Sequence, residues 1–82
     1  MEKHVTYKTN GVCSRAIDFD IVDGIVKNVK FTGGCNGNTQ GVAALTEGME
    51  VNEVIKRLKG INCGSKGTSC PDQLAHAVEE NM

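Results

Sequence analysis

Four cysteines are the residues of this chain most able to do chemistry. The chain has 82 residues, and the cysteines stand at Cys13, Cys35, Cys63 and Cys70. Thiolate sulfurs are preferred ligands of zinc and of iron-sulfur clusters, and four of them complete a tetrahedral site. The separations are 22, 28 and 7 residues, without any Cys-x-x-Cys pair, so the fold must bring the ligands together. The sequence predicts one shared metal centre, zinc or iron-sulfur, at these four residues.

Two other roles for the cysteines stay open at this point. Four redox-active or unrelated thiols would need no shared site, and disulfides would need an oxidising compartment. Residues 1–6 contain no apolar leader, and no stretch approaches the ~20 apolar residues of a membrane span. We therefore expect a cytoplasmic protein, in which an even number of cysteines favours metal or redox chemistry.

Composition argues against nucleic-acid binding. The formal net charge is -1, with positive and negative residues interspersed, and the chain has one Tyr and two Phe. A nucleic-acid interface needs a basic patch for the phosphates and aromatic rings for stacking. Nucleic acid is therefore not expected as a partner.

Three segments alternate apolar and polar side chains and predict three antiparallel strands: His4 to Lys8, Ile17 to Ile21 and Ile25 to Phe31. The inward positions are apolar: Val5, Tyr7, Ile17, Phe19, Ile21, Val29 and Phe31. Asp23-Gly24 has the composition of a two-residue hairpin turn between the second and third strands. Lys27 lies two residues before Val29 and would face the same side of a regular strand, so we expect a β-bulge or an edge position near that turn.

Helical periodicity follows the glycine-rich segment 33–41. A first helix, capped by Asn38 or Thr39, has as its inward residues Val42, Leu45 and Met49. A second, ended by Gly60, has the apolar stripe Val51, Val54, Ile55 and Leu58. A third begins at Pro71, with inward residues Leu74, Ala75 and Val78 and a polar side formed by Asp72, His76, Glu79 and Glu80. The predicted fold is one α+β domain over residues 1–82, with three helices on one face of the sheet.

Each cysteine is predicted to lie where an element begins or a loop turns. Cys70 stands at the start of the last helix, where free N-H groups and the helix dipole favour a thiolate. Cys35 lies in the glycine-rich approach to another helix, Cys13 precedes a strand, and Cys63 lies in the loop 61–68. Convergence of these four positions would build the metal site.

The segment Thr68-Ser69-Cys70-Pro71-Asp72-Gln73-Leu74-Ala75 resembles the TSCPD domain. That domain is known as a free-standing four-cysteine bacterial protein and as the C-terminal region of adenosylcobalamin-dependent ribonucleotide reductases. The resemblance implies an accessory, regulatory or assembly role linked to ribonucleoside-diphosphate reductase, with a ribonucleotide reductase as partner. The alternatives are a thiol redox partner, with Cys63 and Cys70 as the exchanging pair, and a reductase-associated nucleotide-binding module. A chain of 82 residues is too short for a radical-housing barrel, so stand-alone reductase activity is not expected.

The order of the cysteines is also similar to that of the U-type iron-sulfur cluster assembly scaffold. In that resemblance Cys13 precedes a strand, Cys35 approaches a helix, and Cys70 opens the last helix, which implies three ligands and the same fold. Ser14 stands in place of the scaffold's aspartate, Ser69 in place of its histidine, and Cys63 is additional. A fourth thiolate would close the coordination sphere and suit a permanently held ion.

The sheet face that the helices leave uncovered is a candidate homodimer surface.

Overall fold

Three strands are followed by three helices, as the sequence predicts. The structure is a computed structural model that describes residues 2–9, 11–12, 14–33, 36–62 and 67–82. The elements are β1 (Glu2–Lys8), β2 (Ser14–Val22), β3 (Ile25–Gly33), α1 (Asn36–Thr46), α2 (Val51–Leu58) and α3 (Cys70–Asn81). The strands form an antiparallel sheet in the order β1-β2-β3. The predicted α+β fold class is therefore confirmed.

The hairpin between β2 and β3 turns at the predicted dipeptide. Asp23 has φ 51° and Gly24 has φ 79°, so both central residues are in the left-handed region that a type I′ turn requires. Val22 pairs with Ile25 directly beside the turn. Local sequence is sufficient to specify this connection, because few residues other than Gly, Asn and Asp adopt positive φ easily.

The bulge predicted near this turn is present in β3. Asp18 pairs with Lys30 and Asp20 pairs with Lys27, so Asn28 and Val29 together oppose Phe19. Asn28 has φ 57°, the left-handed conformation of a G1-type bulge. The extra residue shifts the inward-outward alternation of β3 by one position. Apolar residues on both sides of the bulge can therefore lie on the core face.

A second register shift, which the sequence did not indicate, lies at the start of β2. Ser14 pairs with Gly33 and Ala16 pairs with Thr32, leaving Arg15 as the extra residue. Regular alternation from the buried Ile17 would turn Arg15 inward and Ser14 outward. The structure has the reverse, with Ser14 buried and Arg15 exposed, because the bulge inverts the alternation at this end of the strand.

The core lies between one face of the sheet and the helices. Its residues are Val5, Ile17, Phe19, Ile21, Val26, Val51, Val54, Leu74, Ala77 and Val78. The predicted apolar stripe of α2 is confirmed, with two members in the core and the other two, Ile55 and Leu58, packed against it. The inward positions of α3 are confirmed as well, since Leu74, Ala75 and Val78 are buried.

Helix α1 differs from its prediction at both ends. It begins at Asn36, ahead of the predicted cap, and Leu45 is 78% exposed. The inward stripe is instead Thr39, Val42 and Thr46, of which both threonines are buried. The Thr46 hydroxyl donates to the carbonyl oxygen of Val42 at 2.8 Å, and this i to i-4 bond satisfies a buried polar group inside the helix.

The face of the sheet opposite the core is polar and internally hydrogen-bonded. His4 Nδ1 lies 2.6 Å from an oxygen of Asp20, and the Thr6 hydroxyl donates to Asp18 at 2.6 Å. Asn28 donates to the other oxygen of Asp20 at 2.8 Å. The predicted homodimer concerns this face and stays a prediction. Of the helices in the described residues, none is long and apolar enough to cross a membrane.

Candidate metal centre

The structure describes one of the four predicted ligands directly. Cys70 is the first residue of α3, whereas Cys13, Cys35 and Cys63 lie outside the described residues. Among the residues that are described, no three His, Cys, Asp or Glu side chains form a metal-binding group, and that set contains a single cysteine. Described residues nevertheless flank each of the other three cysteines.

Cys70 occupies the helix start that the sequence predicts. Ser69 is the N-cap residue, with φ -153° and ψ 169°, and its Oγ accepts a hydrogen bond from the backbone N-H of Asp72 at 3.1 Å. Pro71 follows in the first helical turn, where a missing N-H leaves no helical hydrogen bond unmade. Cys70 is 6% exposed. Its sulfur thus lies at the positive end of the helix dipole, which favours an anionic ligand.

Ser14 brings the chain next to Cys13 into contact with Cys70. Its Oγ lies 3.2 Å from the Cys70 Sγ, and both side chains are buried. Ser14 also pairs with Gly33, which stands two residues before Cys35. Ser14, next to Cys13, therefore contacts the first residue of α3, and Gly33, two residues before Cys35, lies beside Ser14 on the neighbouring strand. The sequence offered no signal for this contact, since it depends on the bulge at Arg15.

Asp72 connects the first turn of α3 to the loop that precedes this helix. Its Oδ1 accepts from the backbone N-H of Gly60 at 2.6 Å, and its Oδ2 accepts from the Thr68 hydroxyl at 2.5 Å. The sequence assigned Asp72 to the polar side of α3, and this was wrong, because the residue is 5% exposed. The error arose because both hydrogen-bond donors come from the preceding loop, which helical periodicity does not describe.

The Asp72 carboxylate is stabilised in its charged form. Burial raises the pKa of this carboxyl, but the hydrogen bonds from Thr68 and Gly60 and the neighbouring His76 hold the pKa below its ordinary value. His76 Nε2 lies 3.3 Å from Oδ1, one helical turn further along. Asp72 also lies in the first turn of α3, where a negative charge interacts favourably with the helix dipole.

The loop that carries Cys63 is closed at both ends by these hydrogen bonds. On one side Gly60 is bonded to Asp72, and the Ser69 hydroxyl donates to the carbonyl oxygen of Ile61 at 2.7 Å. On the other side Thr68 is bonded to Asp72. We call this set of four bonds, which includes the cap bond from Asp72 N-H to Ser69 Oγ, the loop clamp. It fixes Ile61, two residues before Cys63, beside the residue that precedes Cys70.

Gly11 adds one further contact at this end of the molecule. A Cβ at this position would lie 3.5 Å from the Thr68 Cγ2, so the chain two residues before Cys13 passes beside the loop clamp. Its φ of 72° is a conformation that glycine adopts without steric cost. The described flanks of all four cysteines therefore meet around the N-terminus of α3.

The motif Thr68-Ser69-Cys70-Pro71-Asp72 at this helix start lies within a match to a known protein family. The family model of the TSCPD domain matches residues 2–82. The chain belongs to the TSCPD domain family. No curated protein and no solved structure significantly matches it. The similarity to the U-type scaffold is separate from this match and stays a prediction.

In this TSCPD domain the residues of the motif have distinct structural roles. Thr68 and Asp72 bond to each other through their side chains, and Ser69 caps α3 while it holds the chain at Ile61. Pro71 starts the helix, and Cys70 presents its sulfur to Ser14. Four of the five motif residues thus fix the surroundings of the fifth.

Proposed function

We propose that this TSCPD domain binds one metal centre, a zinc ion or an iron-sulfur cluster, through the sulfurs of Cys13, Cys35, Cys63 and Cys70. The observation that carries the proposal is the meeting of the described flanks of all four cysteines around the N-terminus of α3. Strand pairing and the loop clamp bring these distant segments together, and a shared centre would use the convergence that they create.

The chemistry of the donors fits both kinds of centre. Thiolates are soft ligands that hold zinc and iron in tetrahedral geometry. Four of them carry an excess of negative charge over a divalent ion, and the N-terminus of α3 offsets part of that charge. A closed set of four protein ligands leaves no position for substrate, which fits a structural, regulatory or assembly role.

The biological setting that we propose follows from the family. The resemblance that the TSCPD motif carries links such domains with ribonucleotide reduction, so we propose an accessory or regulatory role toward a ribonucleotide reductase, with that enzyme as the protein partner. In this role the metal centre stabilises the surface that the partner recognises. A domain this small gains stability from a metal because its single apolar core contributes little.

A second candidate function is a thiol redox partner that uses Cys63 and Cys70. The loop clamp favours it, because Ile61 is held by the residue next to Cys70 and Cys63 is two residues further on. In that function the two thiols lose two electrons and two protons to a disulfide substrate, form one S-S bond, and leave the substrate as a dithiol. The metal centre requires Cys13 and Cys35 as ligands, whereas the redox function uses only Cys63 and Cys70.

The deciding experiment measures metal content and thiols in protein purified without oxygen. A metal centre predicts about one zinc per chain, or iron with visible absorption, and loss of the metal in each of four single Cys→Ser variants. Leu45→Ser introduces the same residue at an exposed position of α1 and should retain the metal. Metal-free wild-type protein with a reversible Cys63–Cys70 disulfide would instead establish the redox candidate.

A further inference from the structure

We infer that Ser14 tunes the metal centre by donating a hydrogen bond from its hydroxyl to the Cys70 sulfur. This inference rests on the proposed function, and it assigns a role to a residue outside the ligand set. The two atoms are 3.2 Å apart, within the range for a hydrogen bond to sulfur. Both residues are buried, Ser14 at 3% and Cys70 at 6% exposure, so bulk water does not compete for the contact.

The direction of the hydrogen bond follows from the state of the sulfur. Between a free thiol and a hydroxyl either group can donate. A sulfur that ligates a metal has lost its proton and can only accept, so in the loaded protein the Ser14 hydroxyl is the donor.

The backbone of Ser14 is fixed independently of that contact. Its carbonyl oxygen accepts from the Thr9 hydroxyl at 2.6 Å, and the residue pairs with Gly33 across the sheet. The bulge at Arg15 turns its side chain inward. A hydroxyl held by these constraints is already oriented toward the sulfur before any metal binds, which is the arrangement that a positioning residue needs.

The hydrogen bond changes the properties of the ligand in a defined direction. It withdraws charge from the sulfur and fixes the direction of its remaining lone pairs. Removal leaves a more electron-rich thiolate, so charge transfer from sulfur to metal should need less energy. Outer-shell partners of this kind typically change metal affinity by about 10-fold to 100-fold. In an iron-sulfur centre the same change would lower the reduction potential.

Cobalt(II) is a suitable probe because a cobalt-thiolate site has a sulfur-to-metal absorption band that reports directly on the sulfur. The variants are Ser14→Ala, which removes the donor, and Ser14→Thr, which keeps it. Thr46→Val is the matched control, since Thr46 is equally buried but its hydroxyl donates to the carbonyl oxygens of Val42 and Ala43. Cobalt affinity is measured by competition with a chelator, and thermal unfolding is measured in parallel.

We expect Ser14→Ala to bind cobalt about tenfold more weakly and to shift the band to longer wavelength, while Ser14→Thr and Thr46→Val keep the wild-type band. A wild-type thiolate band that Ser14→Ala leaves unmoved, with a loss of stability equal to that of Thr46→Val, would overturn the role of Ser14 and leave the metal centre intact. Wild-type protein without any thiolate-cobalt band would overturn the proposed function and this inference together.

Discussion

Replacement of Asp72 by Asn removes the negative charge at the centre of the loop clamp while nearly preserving the size of the side chain. The carboxylate accepts from Gly60 at 2.6 Å and from Thr68 at 2.5 Å. An amide has one acceptor oxygen, so one donor loses its partner and the other loses the charge that strengthened its bond.

The cost can be estimated from these two bonds. A hydrogen bond to a charged group contributes about 1.5–3 kcal/mol, and a negative charge in the first turn of a helix contributes about 0.3–1 kcal/mol. Loss of one bond, weakening of the other and loss of the charge together give about 3 kcal/mol. Small domains have total stabilities of roughly 5–15 kcal/mol, so Asp72→Asn should remove a large part of the stability.

Denaturant unfolding at pH 7, followed by circular dichroism, measures this difference. Glu79→Gln is the matched control, because Glu79 is a carboxylate on the same helix that pairs with Lys59 at 2.8 Å but is substantially exposed. An exposed ion pair contributes about 0–1 kcal/mol. Both variants lose one negative charge, so the difference between them reports the buried hydrogen bonds of Asp72 together with the position of its charge in the first turn of α3.

The pH dependence supplies an independent check. The pKa of Asp72 is lowered in the folded protein, so its stabilisation is complete above the ordinary carboxyl pKa, near 3.9, and is lost as the pH falls through the folded-state value. The gap between wild type and Asp72→Asn should therefore narrow below about pH 4. Contributions common to both proteins cancel in the difference. A variant no less stable than Glu79→Gln, or a gap as large at pH 2 as at pH 7, would refute the reasoning.

Two further predictions concern the core and the β3 bulge. Phe19→Ala should destabilise the fold by about 3–5 kcal/mol, because Phe19 is fully buried, whereas Leu45→Ala at the exposed site should change stability by less than about 0.5 kcal/mol; thermal unfolding of both distinguishes them. Asn28→Ala should cost about 1–2 kcal/mol, because alanine is strained at φ 57°. Asn28→Gly should cost less in chemical denaturation, and equal losses would argue against backbone strain.

The elements predicted correctly are those whose causes are local. The Asp23-Gly24 turn depends on the positive φ of two adjacent residues, and the stripe of α2 depends on apolar spacing within eight residues. Helix α1 was less predictable because its inward residues include Thr39 and Thr46. A threonine on the buried side of a helix resembles a surface residue in sequence, and at Thr46 the hydrogen bond to the carbonyl oxygen of Val42 satisfies the buried hydroxyl.

The surroundings of Cys70 depended on contacts between distant segments. The sequence singled out Cys70 and its place at a helix start, and the structure confirms that position. It did not indicate Ser14, whose inward direction comes from a bulge, nor the burial of Asp72, whose partners are Gly60 and Thr68. Helical and strand periodicities describe each element alone, whereas these residues derive their environment from the way in which elements meet.

The bulge at Arg15 separates the direction of Ser14 from the identity of the residue that follows it. Arg15 is exposed, and the extra residue inverts the alternation whatever its side chain is. Many substitutions at this position should therefore leave the Cys70 neighbourhood intact. Deletion of this single residue would join Ser14 to Ala16, restore regular pairing and leave Ser14 opposite Gly33 with its hydroxyl inward. The strand can therefore accept either a substitution or the loss of one residue at this place without a change in the direction of Ser14.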